Sequence, residues 1–153
     1  MRKLITIILV SVTIITGCSK NSNSTAGLYY MKATISATSF SAEGLSKVYQ
    51  TSSSSSGLNL TYIFGKSSIG SAIKLILITN SGTALSTGTI PINSGGLAAA
   101  YYYPKGLDSA YIIGTAGSIV LTALVPNIQG TFNFTCADST QVTNGSFSVL
   151  AQQ

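Results

Sequence analysis

Apolar and polar residues alternate with a period of two along most of the chain after residue 28. Met31, Ala33 and Ile35 alternate with Tyr30, Lys32 and Thr34, as do the residues around Phe132, Phe134 and Cys136. A period of two sends successive side chains to opposite faces of a β-strand. No segment combines helical periodicity with capping residues. The pattern therefore predicts an antiparallel all-β domain over residues 29–153.

Turn-forming residues divide this domain into short segments at regular spacing. Asn80–Thr83 and Asn93–Gly96 are two such clusters of Asn, Ser, Thr and Gly. The spacing predicts about 8–10 strands, which is typical of a β-sandwich or a small open barrel. Strand pairing is not visible in a sequence, so both architectures remain open.

Two segments have a more specific interpretation. The polyserine stretch Ser52–Ser56 is of low complexity and is predicted to be the tip of a loop. Thr89–Ile92 has strand character but contains Pro91, which has no backbone N–H to donate to a ladder. We therefore expect this segment to be an edge strand.

The N-terminus has the organisation of an export signal. Arg2 and Lys3 precede the apolar run 4–15, and Thr16 and Gly17 then lead to Cys18. A basic start, a short apolar run and small residues at a cleavage site define a signal peptide, here residues 1–17. The run is shorter than the roughly 20 residues that a membrane-spanning helix needs.

The sequence Ile15-Thr16-Gly17-Cys18 resembles a bacterial lipobox. The resemblance implies that Cys18 receives a diacylglycerol on its sulfur and becomes the first mature residue after cleavage behind Gly17. Residues 18–28 are polar apart from the acylated Cys18 and the last residues, and they predict a flexible tether between membrane and domain. The alternatives are an ordinary secretory signal with an incidental cysteine, or a single-span anchor.

Several segments of the domain are similar to a family of small Bacteroidota lipoproteins of unknown function. They are the closing segments 117–122, 128–135 and 142–149, with Lys32–Ile35 at the start. The resemblance implies an all-β fold and a cell-envelope location, and it carries no catalytic residues. Surface-exported lipoproteins of that group have an acidic run after the cysteine. Residues 19–27 have none, which favours the outer membrane with the domain facing the periplasm.

Charged residues are scarce, at 7% of the chain, and there is no His. A His-based catalytic triad and a His-ligated metal site are therefore excluded. Glu43, Asp108 and Asp138 are the only carboxylates, and nothing in the sequence brings two of them together. We expect no enzyme activity, no cofactor and no metal site.

The charge of the mature chain argues against a nucleic-acid partner. Removal of residues 1–17 would leave six Lys, no Arg and three acidic residues, a net charge of +3. Nucleic-acid binding requires basic residues clustered on one face, and these lysines are scattered. The expected partners are the membrane, through the lipid, and envelope proteins or glycans.

Tyr101 and Tyr103 form the most suggestive candidate for a ligand contact. In a strand they share one face, with Tyr102 on the other. Exposed tyrosine rings can stack on sugars, and their hydroxyls can hydrogen-bond to sugar hydroxyls. The alternative is that these rings simply pack on a half-buried strand, where Tyr is common.

Cys136 and two serines complete the candidates. Cys136 shares its strand face with two Phe and has no His to activate it, so a packing role is expected. Ser109 and Ser139 follow Asp108 and Asp138 in predicted loops, and both sequences resemble the short O-glycosylation acceptors of periplasmic Bacteroidota proteins. Both serines are therefore candidates for modification.

These features together predict a membrane-anchored lipoprotein of the bacterial cell envelope. Its β domain is expected to have a non-catalytic role, either binding or structural. The alternative is a carbohydrate-binding module of a nutrient-capture system, which would bind through its exposed tyrosines. The residues do not identify the ligand.

Overall fold

The computed structural model describes residues 28–151, and all regular secondary structure within them is β-strand. The all-β prediction is confirmed, with ten strands. They are β1 (Tyr30–Ile35), β2 (Thr38–Glu43), β3 (Val48–Ser55), β4 (Leu58–Lys66), β5 (Ala72–Asn80), β6 (Gly88–Ile92), β7 (Ala98–Tyr103), β8 (Ile112–Ala123), β9 (Asn127–Cys136) and β10 (Gln141–Leu150).

The strands form one nearly closed, barrel-like sheet in the order β2-β1-β10-β9-β8-β6-β7-β5-β4-β3. Neighbours are antiparallel, except that β6 and β7 meet in a parallel bridge at the single pair Ile92 and Ala98. The first residues of β8 also pair with β7, beyond the end of β6. Of the two predicted architectures, the structure adopts the barrel.

The sheet is nearly closed because its two edge strands are consecutive in the chain. β2 leads into β3 through residues 44–47, where the Gly44 carbonyl accepts hydrogen bonds from the amides of Lys47 at 3.0 Å and Val48 at 2.9 Å. Across the interior, Gly65 of β4 lies against Met31 of β1. A Cβ atom on Gly65 would lie 2.6 Å from the Met31 Sδ, so a residue without a side chain permits this close approach.

The inward-facing positions of the strands build one core. In β1 and β9, period-two alternation predicts these positions, and Met31, Phe132, Phe134 and Cys136 are all buried as expected. The largest fully buried side chains are Phe147, Met31, Ile63, Ile73, Leu75, Leu77, Ile119, Leu121, Val48, Val142 and Val149. They come from both halves of the chain, so the described residues share a single hydrophobic core.

Two local predictions are wrong. Ser52–Ser55 belong to β3 and pair residue by residue with β4, so the turn is confined to Ser56 and Gly57. The segment with Pro91 is not an edge strand, because β6 lies between β8 and β7 in the sheet order. It pairs along its length with β8 but pairs with β7 at only one position, so the edge of β6 that faces β7 makes almost no ladder hydrogen bonds. A residue without an N–H is tolerated on such a side.

Candidate functional site

An open cavity of about 980 Å³ lies at the end of the sheet that carries the last residues of β3 and the first residues of β4. We call it the mouth cleft. One wall carries the polar side chains of Gln50, Ser52, Ser54, Asn59, Thr61 and Thr79, from β3, β4 and β5. The facing wall carries Leu85, Leu124, Val125, Pro126, Ile128 and Leu150. None of the described residues that line it carries a charge.

The polar wall arises because the inward-facing residues of β3, β4 and β5 change from apolar to polar toward the cleft. On β4 the inward position changes from Ile63 to Thr61, and on β5 it changes from Leu77 to Thr79. Cross-strand pairing then aligns the polar positions into rows, with Ser54 opposite Asn59 and Asn59 opposite Thr79. Inward-facing polar residues depart from the pattern that specifies a core, and such departures concentrate at functional sites.

Hydrogen bonds hold part of this wall in place. The Gln50 amide nitrogen donates to the Ser52 hydroxyl at 2.6 Å, and the Ser54 hydroxyl donates to the Asn59 side-chain oxygen at 2.8 Å. Gln50 is buried although it is polar. The wall is therefore an ordered polar surface at the mouth of the barrel. Sequence reasoning missed it because the polyserine segment was interpreted as a loop.

The outer face of the sheet carries the predicted tyrosines. Tyr101 and Tyr103 share that face, while Tyr102 turns inward and packs against the core. Tyr103 is only 5% exposed and lies against Tyr111, which is 58% exposed and follows in the β7–β8 loop. Tyr101 meets Tyr111 edge to face, with ring centroids 5.0 Å apart. The accessible pair is therefore Tyr101 and Tyr111, and the second of these was not predicted.

Lys74 on β5 completes this tyrosine cluster. Its ammonium nitrogen lies 4.5 Å from the ring centroid of Tyr101 and 5.7 Å from that of Tyr103. A cation over an aromatic face is attracted by the quadrupole of the ring. Lys74 also lies directly opposite Tyr101 in the ladder, and Phe64 lies opposite Lys74 on its other side. The cluster thus continues into an apolar row on the outer face of the sheet.

The carboxylates are dispersed and engaged in local contacts. Glu43 forms an ion pair with Lys32 at 3.1 Å, and this contact holds its pKa below the usual range. Glu43 lies opposite Tyr30 at the start of β1, whereas Asp138 lies in the turn before Val142, which pairs with the end of β1. A strand of that length spans about 17 Å. This separation is too large for a pair of catalytic carboxylates.

Asp138 stabilises the turn between β9 and β10. One of its oxygens accepts from the backbone amide of Thr140 at 3.0 Å, and the other accepts from the Thr140 hydroxyl at 3.0 Å. These two hydrogen bonds lower the pKa of Asp138. Asp108, the third acidic residue, is exposed in the β7–β8 loop. Each carboxylate thus lies in a surface position rather than in the mouth cleft.

Cys136 is 2% exposed on the inner face of β9. Burial raises the pKa of its thiol to about 11, with a smaller effect of the nearby Asp138 carboxylate in the same direction. A thiol acts as a nucleophile only when it is ionised. The position and the raised pKa both match the packing role expected from the sequence.

The two candidate acceptor serines differ in accessibility. Ser139 is exposed in the β9–β10 turn, where its backbone has a φ of 70°. Ser109 is half-buried, and its hydroxyl donates to the carbonyl of Gly106 at 2.6 Å. A modifying enzyme would therefore reach Ser139 more easily than Ser109.

The signal peptide, residues 1–17, and the predicted acylation site at Cys18 lie outside the described residues, as does the cleavage position behind Gly17. Of the predicted tether 18–28, only Leu28 is described. Residues 28–151 contain no group of three or more His, Cys, Asp or Glu side chains placed to hold a metal ion. They also contain no helix with the length and apolar character needed to cross a bilayer.

No known family model, curated protein or solved structure matches this chain.

Proposed function

We propose that the protein is a lipoprotein of the bacterial cell envelope whose β domain is a non-catalytic binding module. The anchor is inferred from the signal-like residues 1–17 and from Cys18, which has the position that acylation requires. Two or more acyl chains would fix the protein stably to a membrane, whereas one would not. The missing acidic run after Cys18 favours the outer membrane and a domain in the periplasm.

The mouth cleft is the observation that supports a binding role. Ligand sites are concave and occur in the mouths of β-barrels, with a few polar groups in a mostly apolar lining. The cleft of about 980 Å³ combines both kinds of group, since its lining includes Thr61 and Asn59 as well as Leu124 and Leu150. Its partners would be small molecules or glycans of the envelope rather than nucleic acid, since no basic side chain lines it.

The local environments of the reactive side chains support a role without catalysis. Asp138 and Glu43 have lowered pKa values and are therefore poor general bases. The pKa of Cys136 is raised to about 11, which keeps its thiol protonated near neutral pH. None of the three lines the mouth cleft. The binding site thus contains hydroxyls, amides and apolar groups, which position a ligand without reacting with it.

Metabolic labelling with palmitate tests the anchor. The wild-type chain should incorporate label and fractionate with membranes, and Cys18→Ser should do neither, because only the Cys18 sulfur can form the thioether. Cys136→Ser is the matched control and should label like the wild type. Equal labelling of wild type and Cys18→Ser would exclude the lipoprotein proposal.

A carbohydrate-binding module is the second candidate, and the tyrosine cluster favours it. Tyr111 is 58% exposed and lies edge to face with Tyr101, which creates an aromatic corner next to the ammonium of Lys74. Aromatic rings with phenol hydroxyls match the apolar and hydroxyl faces of a sugar. A nutrient-capture role would place this corner against an envelope glycan.

A glycan array separates the two candidates. If the tyrosine cluster binds sugars, then a confirmed glycan signal should disappear in Tyr111→Ala. Tyr49→Ala should keep the signal, because Tyr49 on β3 stacks on Phe64, with ring centroids 4.8 Å apart, and lies outside the tyrosine cluster. A glycan signal that survives Tyr111→Ala would reject the tyrosine cluster as the sugar site.

A further inference from the structure

We propose that the mouth cleft binds an uncharged amphiphile, a molecule with a head rich in hydroxyl or amide groups and an aliphatic chain. This inference rests on the binding role proposed above and names the class of ligand for that site. It follows from the two unlike walls of the cleft, from the missing charge, and from the position of the cleft relative to the start of the domain.

The polar wall determines the chemistry of the head group. Ser, Thr, Asn and Gln side chains can each donate and accept hydrogen bonds. Ser52 lies opposite Thr61, and the neighbouring row joins Ser54, Asn59 and Thr79, so these groups are spread across three strands. A head with several hydroxyls or amides can bond to such a surface at several points at once.

The apolar wall determines the rest of the ligand. Val125 is 82% exposed and Leu150 is 45% exposed, although both line the cleft. Leu124 and Ile128 continue the same wall toward the core. Covering exposed apolar surface is favourable in proportion to the area removed from water. An aliphatic chain laid along this wall would supply that cover.

The absence of charged side chains from the lining of the cleft excludes a ligand with an ionic head group. Moving a charged group out of water without an opposite charge is costly, and no Lys, Asp or Glu lines the cleft. The volume of about 980 Å³ lies within the range of small-molecule sites. Because the polar groups are inward-facing side chains, they favour a small molecule over a peptide strand, which would bond to the backbone edge of β3.

The apolar wall of the cleft lies close to the point where the chain enters the domain. Tyr30, the first residue of β1, pairs with Ser148, two residues before Leu150 on the apolar wall. The predicted tether from Cys18 therefore joins the domain beside the cleft. An anchor there would hold the opening close to the bilayer, which is the source of amphiphiles that the proposal commits to.

Titration with simple probes tests the proposal on the mature chain, residues 18–153, carrying Cys18→Ser to keep it soluble. The probes are octyl glucoside below its micelle concentration, glucose for the head alone, and octyl sulfate for the same chain with a charged head. Backbone amide NMR should map octyl glucoside to residues 50–54, 59–61, 79–85 and 124–128. Glucose and octyl sulfate should each bind at least about tenfold more weakly, because glucose lacks the aliphatic chain and octyl sulfate lacks the uncharged, hydroxyl-rich head.

Two variants test the individual walls. Thr61→Val removes one inward hydroxyl at nearly constant shape and should weaken octyl glucoside binding about tenfold. Thr131→Val, on the outer face of β9, is its matched control and should bind like the parent chain. Val125→Ser changes an exposed residue of the apolar wall, so the fold should tolerate it, and binding should again weaken.

Three results would overturn the proposal: equal binding of octyl sulfate, equal affinities of Thr61→Val and Thr131→Val, or no binding of octyl glucoside at the cleft. Perturbations at Tyr101 and Tyr111 instead of the cleft would reject this site while keeping the binding role. Palmitate labelling of Cys18 remains a separate test of the anchor, so the two proposals can fail independently.

Discussion

At the scale of single residues, the Asp138 carboxylate and the Cys136 thiol both make contacts that stabilise the fold. Asp138 accepts two hydrogen bonds from Thr140, and Cys136 packs on the inner face of β9. The packing of Cys136 could be predicted from its alternation with Phe132 and Phe134. The proximity of Tyr111 to Tyr101 could not, because it depends on how the β7–β8 loop folds back on the sheet.

The Asp138 turn gives a prediction about pH. Thr140→Val keeps the backbone amide but removes the hydroxyl donor, so the pKa of Asp138 should rise toward its unfolded value. A lowered pKa contributes stability that is present above the unfolded pKa and is lost as the pH falls through the folded pKa. NMR titration of the Asp138 carboxyl measures the pKa directly. Thr131→Val should leave it unchanged, and an unchanged value in Thr140→Val would refute the assigned cause.

Cys136 gives a prediction about reactivity. In the Cys18→Ser chain it is the only thiol. Because burial raises its pKa to about 11 and covers the sulfur, a thiol reagent at pH 8 should react slowly with the native chain and rapidly after denaturation. Colorimetric thiol titration follows both rates. Rapid reaction of the native chain would show that Cys136 is accessible and ionised.

At the scale of elements, the sequence predicts the strands whose inward positions are consistently apolar and fails where this pattern ends. The alternation predicted around Met31 and Ile35 is confirmed in β1, and the alternation of Phe132, Phe134 and Cys136 is confirmed in β9. The second half of β3, Ser52–Ser55, departs from the predicted loop, because serine has little strand preference of its own. Its conformation is imposed by pairing with β4, which is a tertiary effect.

The contact between β1 and β4 can be tested with a pair of substitutions. Gly65→Ala places a Cβ atom 2.6 Å from the Met31 Sδ and should lower the free energy of unfolding by about 1–3 kcal/mol. In a Met31→Ala background that space is free, so the additional cost of Gly65→Ala should largely vanish. Denaturant unfolding of the four chains gives the coupling energy.

Gly44→Ala is a useful comparison for this pair, because no atom lies within 4 Å of its Cβ position but its φ is 86°. Its cost should therefore come from the backbone alone and should not depend on Met31. If Gly65→Ala costs the same with and without the Met31 side chain, then β1 and β4 do not meet as described.

At the scale of the whole molecule, the fold class and the number of strands could be predicted, whereas the closure of the sheet could not. The closure depends on the four residues 44–47 that join the two edge strands and on the approach of Gly65 to Met31. The mouth cleft was also hidden from the sequence. Its polar wall combines positions from three strands that only the observed register brings together. Alternation alone does not mark Asn59 and Thr61 as inward, because their neighbours Leu58 and Leu60 are the apolar residues of that segment.

The start of the described domain and the mouth cleft lie near each other in the fold. Leu150, on the apolar wall of the mouth cleft, lies two residues beyond Ser148, which pairs with Tyr30 at the start of the domain. An acylated Cys18 would thus tether the domain near the apolar wall of the cleft. Lipid attachment is the central claim on which this arrangement depends.

Intact mass and N-terminal peptide mapping of the protein recovered from the membrane fraction of its native host test this claim most directly. A lipoprotein should give a chain that begins at Cys18, with a diacylglycerol on its sulfur and an acyl group on its amine. A hexose-sized addition at Ser139, or at Ser109, would be read from the same spectrum. A chain that keeps residues 1–17, or that begins without any lipid, would contradict the account.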